Sequence, residues 1–181
     1  MKGHAQSHFF PLALMFALAV ASRPALARPI SPPTIRLDSD KMLGRWYEIA
    51  RLPNTIQNDC QGGTSDWVRT EAGFQVIQTC HKGALSAPAT EWHARARMVD
   101  PKTNTKFKVT YFGGLLTVDY WVLDTRAEQG WVIVATPNGR SLWLMSQQPS
   151  LPAAAKSQAV ARIKQLGFDV TSLEFPQAAR N

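Results

Sequence analysis

The sequence predicts an all-β protein built on an eight-stranded antiparallel up-and-down β-barrel, with one C-terminal α-helix packed outside. Apolar and polar residues alternate with period two over most of the chain from residue 46 onward, most clearly at 92–98 and 106–111. Turn residues separate eight such runs at short spacing and leave no room for helical crossovers, so neighbouring strands should be antiparallel. Closing eight strands into a barrel removes the exposed edges of the sheet, although a two-sheet sandwich fits the same alternation.

The predicted strands and the single helix follow one another in order. The strand-like runs cover 46–52, 64–70, 74–80, 92–98, 106–111, 115–125, 131–136 and 141–147. In the helix that follows, Ser150 can cap the first turn, Pro152 suits that turn and Gly167 ends it. Its apolar stripe consists of Ala155, Ala159 or Val160, Ile163 and Leu166, which predicts one face packed against the barrel.

Length and composition restrict the class of protein. The chain has 181 residues, which is the size of one domain. Apolar residues make up 45% and charged residues 18%, so the chain can bury a core and is not of the intrinsically disordered class. The formal net charge of +7 is spread along the sequence without a basic run, and it therefore does not favour nucleic-acid binding.

The first 27 residues have the composition of a secretory signal peptide. Lys2 precedes an apolar run at 9–21, no acidic residue occurs before Asp38, and the small-residue cleavage site at 25–27 predicts Arg28 as the mature N-terminus. The stretch 19–21 is a weaker alternative for cleavage. We therefore expect a protein of the periplasm or one that is secreted. No cysteine follows the apolar run at the position of a lipid anchor, so any contact with a membrane should be peripheral.

The two cysteines are expected to form a disulfide. Cys60 and Cys80 both lie in the predicted exported part, where an even number of cysteines favours a disulfide over a metal site or a catalytic thiol. A hairpin that turns at 71–73 would bring the two strand ends together. His81 and His93 are the other metal-ligand candidates, and neither has a chelating spacing to the cysteines, so we expect no metal site and no cofactor.

The inward face of the predicted barrel is mostly apolar. An eight-stranded barrel is just wide enough to be filled by side chains or to hold one small ligand, and alternation alone does not distinguish a solid core from a cavity. The predicted inward residues are Trp67, Trp92, Ala94, Ala96, Met98, Phe107, Val109, Tyr111, Tyr120, Val122, Trp131, Ile133, Trp143 and Met145.

No catalytic site is predicted. The inward set contains no nucleophile beside a base, and neither histidine has a site around it. Glu48 shares the inward phase of Trp46, and we favour a structural pairing with a buried Arg or Tyr over a catalytic role.

The segment 43–51, Leu-Gly-Arg-Trp-Tyr-Glu-Ile-Ala-Arg, resembles the first motif of the lipocalins, and in detail that of the bacterial outer-membrane lipocalins and apolipoprotein D. Further matches run in family order at 107–113, 120–125, 142–146 and 167–170. The resemblance covers 40–176, which we take as a lipocalin domain preceded by an extended, proline-rich segment at 28–39 and followed by a tail at 177–181.

The resemblance implies a non-enzymatic lipid-binding protein that holds a fatty acid, lysophospholipid or similar amphiphile in the barrel for storage or transport in the cell envelope. The proposed ligand-binding residues are Trp46 as the floor, with Trp67, Phe107, Val109, Tyr111, Tyr120, Trp131 and Trp143 around it. Arg95 or Arg97 near the rim are candidate headgroup contacts, although a solvated surface is favoured for both. The alternatives are a lipocalin-type isomerase or de-epoxidase that uses Glu48, and a pigment or haem binder, for which the inward set offers no His or Cys ligand.

Overall fold

The computed structural model describes residues 29–177, and these form a closed eight-stranded barrel with a helix on its outside. The strands are β1 Gly44–Arg51, β2 Cys60–Thr70, β3 Gly73–Lys82, β4 Ala89–Met98, β5 Lys106–Tyr111, β6 Leu116–Arg126, β7 Trp131–Ala135 and β8 Leu142–Ser146, and the helix α1 is Ala153–Gln165. Every strand pairs antiparallel with the next, and β8 closes the barrel by pairing antiparallel with β1. The predicted barrel is confirmed and the sandwich is excluded. The predicted signal peptide at 1–27 and most of the C-terminal tail lie outside the described residues.

The two ends of the barrel differ. At one end the chain makes a 3-10 turn at Ser39–Met42, directly before β1, and Arg69 near the end of β2 forms an ion pair with Asp40 in this turn. Gly73 starts β3 at this end with φ +131°, and a Cβ there would lie 2.4 Å from the backbone oxygen of Ala96, so only glycine fits. The longest connection at the other end is the loop 52–59 between β1 and β2. We call the first the closed end and the second the open end.

The apolar residues form two separate clusters because the sheet is covered on one side by the helix. The inner cluster fills the barrel around Trp46, Trp67 and Phe107. The outer cluster lies between the barrel wall and α1, where Ile163 packs with Ile133 and other residues of β7 and β8. Strand β7 is therefore buried on both faces.

Helix α1 begins three residues after the predicted cap. Pro152 is its N-cap residue and no side chain caps it, so the predicted role of Ser150 as the cap is wrong. The predicted stripe is confirmed, with Ala155, Ala159 and Ile163 buried. Arg162 also ties the helix to the barrel through its Nε, which donates a hydrogen bond of 2.5 Å to the buried carboxylate of Asp124 on β6.

The segment before the barrel, predicted to be extended, has no regular secondary structure up to Asp38, and its Leu37 packs into the inner cluster. Ile30 N–H donates to the carbonyl of Pro137 at the open end, and Leu37 N–H donates to the carbonyl of Thr103 at the closed end. None of the helices within 29–177 has both the length and the apolar character needed to cross a bilayer.

A candidate ligand-binding cavity

A cavity of about 470 Å³ lies inside the barrel and opens between the loops at the open end. This volume falls in the range of small-molecule binding sites. Three loops frame the mouth, at 52–59, 112–115 and 136–141. The lining residues are Met42, Trp46, Glu48, Asn54, Thr55, Ile56, Gln57, Thr64, Ser65, Trp67, Gln78, Thr79, Trp92, Tyr111, Phe112, Leu116, Val118, Tyr120, Val132, Val134, Thr136, Ser141, Trp143 and Met145.

Three aromatic rings fill the closed end below the cavity. Trp67, Phe74 and Phe107 pack edge to face in a triangle, with ring centroids 5.5 to 5.9 Å apart. Beside them the indole N–H of Trp46 donates a hydrogen bond of 2.9 Å to the carbonyl of Met42, which fastens the 3-10 turn across the end of the barrel. The closed end is therefore a solid core, and the space remains only above it.

Five of the eight predicted ligand-binding residues line the cavity: Trp46, Trp67, Tyr111, Tyr120 and Trp143. Phe107 and Val109 do lie inside the barrel, but they are fully buried in the closed-end core and do not reach the cavity. Their predicted inward direction is correct, and their predicted place in the ligand wall is wrong.

Trp131 faces the other side of the sheet. It lies in the outer cluster under α1, together with Ile133, and its indole N–H donates to the side chain of Gln129. The cavity is lined instead by Val132 and Val134, the alternate residues of β7. The predicted inward phase of β7 is therefore wrong, because the helix buries the outer face of this strand as well and makes both phases apolar.

Arg95 and Arg97 do not lie near the rim. Strand β4 runs from the open end to the closed end, and both arginines occur in its second half with exposed side chains on the outer face. The expectation of a headgroup contact from these two residues is wrong, whereas the solvated surface favoured for them is what the structure shows.

A buried polar network joins the cavity wall to the loop 52–59. Gln57 donates from Nε2 to Glu48 at 2.5 Å, and its Oε1 accepts hydrogen bonds from Trp143 Nε1 at 2.7 Å and from Asn54 Nδ2 at 2.8 Å. This loop therefore closes over part of the mouth by contacts with the wall itself.

Glu48 continues the network toward the C-terminal segment. Arg51 Nη1 donates to Glu48 at 2.5 Å, Arg51 Nε donates to Glu174 at 2.7 Å, and Arg51 Nη2 donates to the carbonyl of Cys60. The predicted pairing of Glu48 with a buried arginine is confirmed. Burial raises the pKa of the Glu48 carboxyl above its ordinary value, because the loss of solvation outweighs the hydrogen bonds and charge of Arg51.

A second polar group lies in the wall. Tyr111 Oη donates to Gln78 Oε1 at 2.9 Å, and the hydroxyls of Tyr111 and Tyr120 are 3.2 Å apart. Tyr120 also packs edge to face against Trp143, with ring centroids 5.5 Å apart. Burial raises the pKa of both phenols above the ordinary value of tyrosine, because their charged forms would be poorly solvated.

The predicted disulfide is present. Cys60 at the start of β2 is bonded to Cys80 near the end of β3. Because Arg51 binds the carbonyl of Cys60, the disulfide also fixes the point where the loop 52–59 rejoins the barrel.

Several cavity residues were not predicted. Gln78 continues the inward phase of Phe74 and Val76 along β3, so the alternation could have revealed it. Met42 and the loop residues 54–57 lie outside any strand, and no periodic signal in the sequence marks them.

A model of the lipocalin-like domain matches residues 37–178, and the chain therefore belongs to the lipocalin family. The outer membrane lipoprotein Blc of Vibrio cholerae is 27% identical over 159 residues, which cover 85% of this chain and 88% of that protein. Apolipoprotein D of Macaca fascicularis is 24% identical over 151 residues, 78% of each protein.

The solved structures agree on the fold. Insecticyanin from the tobacco hornworm Manduca sexta superposes with a TM-score of 0.67 over 83% of this chain and 85% of its own, at 16% identity. At that identity the likeness is one of fold. The family and the apolar cavity together define a lipocalin that binds small hydrophobic ligands.

Proposed function

We propose that this protein holds one long-chain amphiphile, such as a fatty acid or lysophospholipid, inside the barrel and stores or carries it in the cell envelope without transforming it. The observation that carries the proposal is the cavity of about 470 Å³, which is lined mainly by aromatic and aliphatic side chains and opens at the loop end. A chain of about 15 methylenes buried there would contribute about 12 kcal/mol before ordering costs, which supports micromolar or tighter affinity.

The mouth supports access from a lipid phase. Large apolar side chains are exposed on the loops that frame it: Ile56, Phe112, Leu115 and Leu116. Leu115 is 90% exposed at the tip of the connection between β5 and β6. If these side chains contact a membrane surface, a lipid tail can pass between them into the cavity while little of the tail is exposed to water. Their exposure therefore supports the expected peripheral membrane contact.

Both the sequence and the relatives support a location in the cell envelope. The apolar run at 9–21 and the cleavage site before Arg28 support export. The relative from Vibrio cholerae carries the name outer membrane lipoprotein. The absence of a cysteine after the apolar run supports a form of this protein without that lipid anchor.

The arrangement around Glu48 supports binding over catalysis. A general acid or base must reach the substrate with a transferable proton. Both carboxylate oxygens of Glu48 already accept hydrogen bonds, one from Arg51 and the other from Gln57. A haem iron is commonly held by a His nitrogen or a Cys sulfur, and among the described residues none that lines the cavity is His or Cys.

A fluorescence titration with matched variants tests the proposal. Addition of a C16 or C18 lysophospholipid should quench tryptophan fluorescence and saturate at about one ligand per protein. Trp143→Ala should weaken binding by several-fold, since this ring lines the cavity, whereas Trp121→Ala, also half-buried but in the outer cluster, should leave the affinity unchanged. Equal loss of affinity in both variants, or no saturable binding by the unmodified protein, would refute the proposal.

A further inference from the structure

The cavity offers no positive charge to a bound anion. Of the described residues that line it, none is Lys, Arg or His, and Glu48 is the only acidic residue. The guanidinium of Arg51 lies behind Glu48 and is already bound to two carboxylates and a carbonyl. Lys82 and Arg140 lie near the open end, but both side chains are exposed and neither lines the cavity. A carboxylate drawn into the cavity would therefore find no cation free to pair with it.

The wall already disfavours negative charge on its own groups. Burial raises the pKa of Tyr111 and of Tyr120, and it raises the pKa of Glu48 even though Arg51 and Gln57 bind that carboxylate. A ligand carboxylate in the same surroundings would lose its hydration in the same way, and it would lack the arginine that Glu48 has.

The wall does offer neutral hydrogen-bonding groups. Gln78 uses its amide oxygen to accept from Tyr111, and within the described residues its amide NH₂ has no acceptor, so this donor is left for the cavity. The hydroxyl of Tyr120, beside that of Tyr111, can accept a further hydrogen bond. Strands β3, β5 and β6 thus place one donor and one acceptor on the same stretch of wall. A hydroxyl or amide can satisfy both, and an ester carbonyl can satisfy the donor.

From this geometry we infer that the cavity selects amphiphiles whose polar group is uncharged where it enters the wall, such as a hydroxyl, ester or amide, over free fatty acids of the same chain length. The Gln78–Tyr111–Tyr120 group is the recognition element. This inference rests on the proposed function and narrows its ligand class. A lysophospholipid satisfies it with its ester and free hydroxyl inside and its charged headgroup at the mouth, whereas an ionised fatty acid does not.

The first test needs only the unmodified protein and two ligands of equal chain length. Binding of 1-dodecanol and of laurate is measured by tryptophan quenching and calorimetry at pH 8, where the free carboxyl group is ionised. The alcohol should bind about tenfold tighter or more, a difference equivalent to about 1.4 kcal/mol. Laurate binding equal to or tighter than dodecanol would overturn the inference and leave the proposed function standing. Binding of neither dodecanol, laurate nor a C16 lysophospholipid would overturn the proposed function itself.

A charge introduced at the recognition element should reverse the preference. Gln78→Lys places a cation in the wall and should strengthen laurate binding by about tenfold relative to the unmodified protein, with no gain for dodecanol. Gln78→Met is the matched control: it keeps the length of the side chain but removes the hydrogen bonds, so dodecanol binding should weaken by several-fold without a gain for laurate. A Gln78→Lys variant with an unchanged circular dichroism spectrum and no gain for laurate would overturn the inference. If that variant does not fold, the comparison of the two ligands on the unmodified protein decides alone.

Discussion

Replacement of Gln57 by Ala should release the loop 52–59 from the cavity wall. Gln57 makes three side-chain hydrogen bonds, to Glu48, Trp143 and Asn54, at 2.5 to 2.8 Å. The bond to the Glu48 carboxylate is worth about 1.5–3 kcal/mol and each neutral bond about 1 kcal/mol, before discounting for water that replaces them at this half-buried site. We therefore expect the free energy of unfolding to fall by about 2 kcal/mol, which corresponds to a drop in Tm of about 4–8 °C for a domain of this size.

Hydrogen exchange and ligand dissociation report the same change locally. Amide protons of 52–59 should exchange faster in Gln57→Ala, and a bound lysophospholipid should dissociate faster because the loop no longer covers the mouth. Gln61→Ala is the control, since Gln61 Nε2 bonds only to the exposed Asp59 and its loss should change stability by less than about 0.5 kcal/mol. Equal stability and equal exchange in the Gln57→Ala and unmodified proteins would refute the role of this side chain in holding the loop.

Three further predictions concern the barrel. Trp131→Ala should lower the free energy of unfolding by about 3–5 kcal/mol in chemical denaturation, because this residue is 2% exposed. The ligand affinity of the folded variant should be unchanged, because the ring lies outside the barrel wall. Weakened ligand binding would show that Trp131 contributes to the cavity. Reduction of the Cys60–Cys80 disulfide, which spans 20 residues, should cost about 3 kcal/mol in the same assay, and an unchanged midpoint would contradict this. The folded protein holds the phenol protons of Tyr111 and Tyr120 more tightly than the unfolded chain does, so the contribution of these protons to stability is complete below a pH of about 10 and is lost as the pH rises further. Tyr111→Phe should therefore flatten the fall in the free energy of unfolding between pH 9 and 11. An equally steep fall in the variant and in the unmodified protein would contradict the raised pKa.

Alternation predicts which face of a strand is apolar, and this was sufficient for most of the barrel. Along β5 and β6, polar residues such as Lys108 and Asp119 alternate with apolar ones, so the inward direction of Val109 and Tyr120 follows from the sequence. Along β7 both faces are apolar, because one faces the cavity and the other faces α1. The amphipathic helix in the sequence was the available signal that one strand must be covered on its outer face.

The position of an inward residue along the barrel axis and the contacts of the loops cannot be predicted from the periodicity of the strands. Phe107 and Tyr111 lie on the same face of β5, yet only Tyr111 reaches the cavity, since the aromatic triangle fills the closed end. The place of Gln57 depends on where the loop 52–59 folds back onto Trp143, a contact between residues 86 positions apart. Such a contact follows from the closed barrel and leaves no local pattern in the sequence.

Native mass spectrometry with a cavity-filling variant determines whether one lipid is held inside the barrel. Val134 lines the cavity and Val68 is 55% exposed, so Val134→Trp fills the binding space while Val68→Trp adds the same side chain to the surface. With a C16 lysophospholipid, the unmodified protein and Val68→Trp should each show a single additional mass of one ligand, and folded Val134→Trp should show none. Retention of the ligand by folded Val134→Trp would show that the lipid binds elsewhere on the protein.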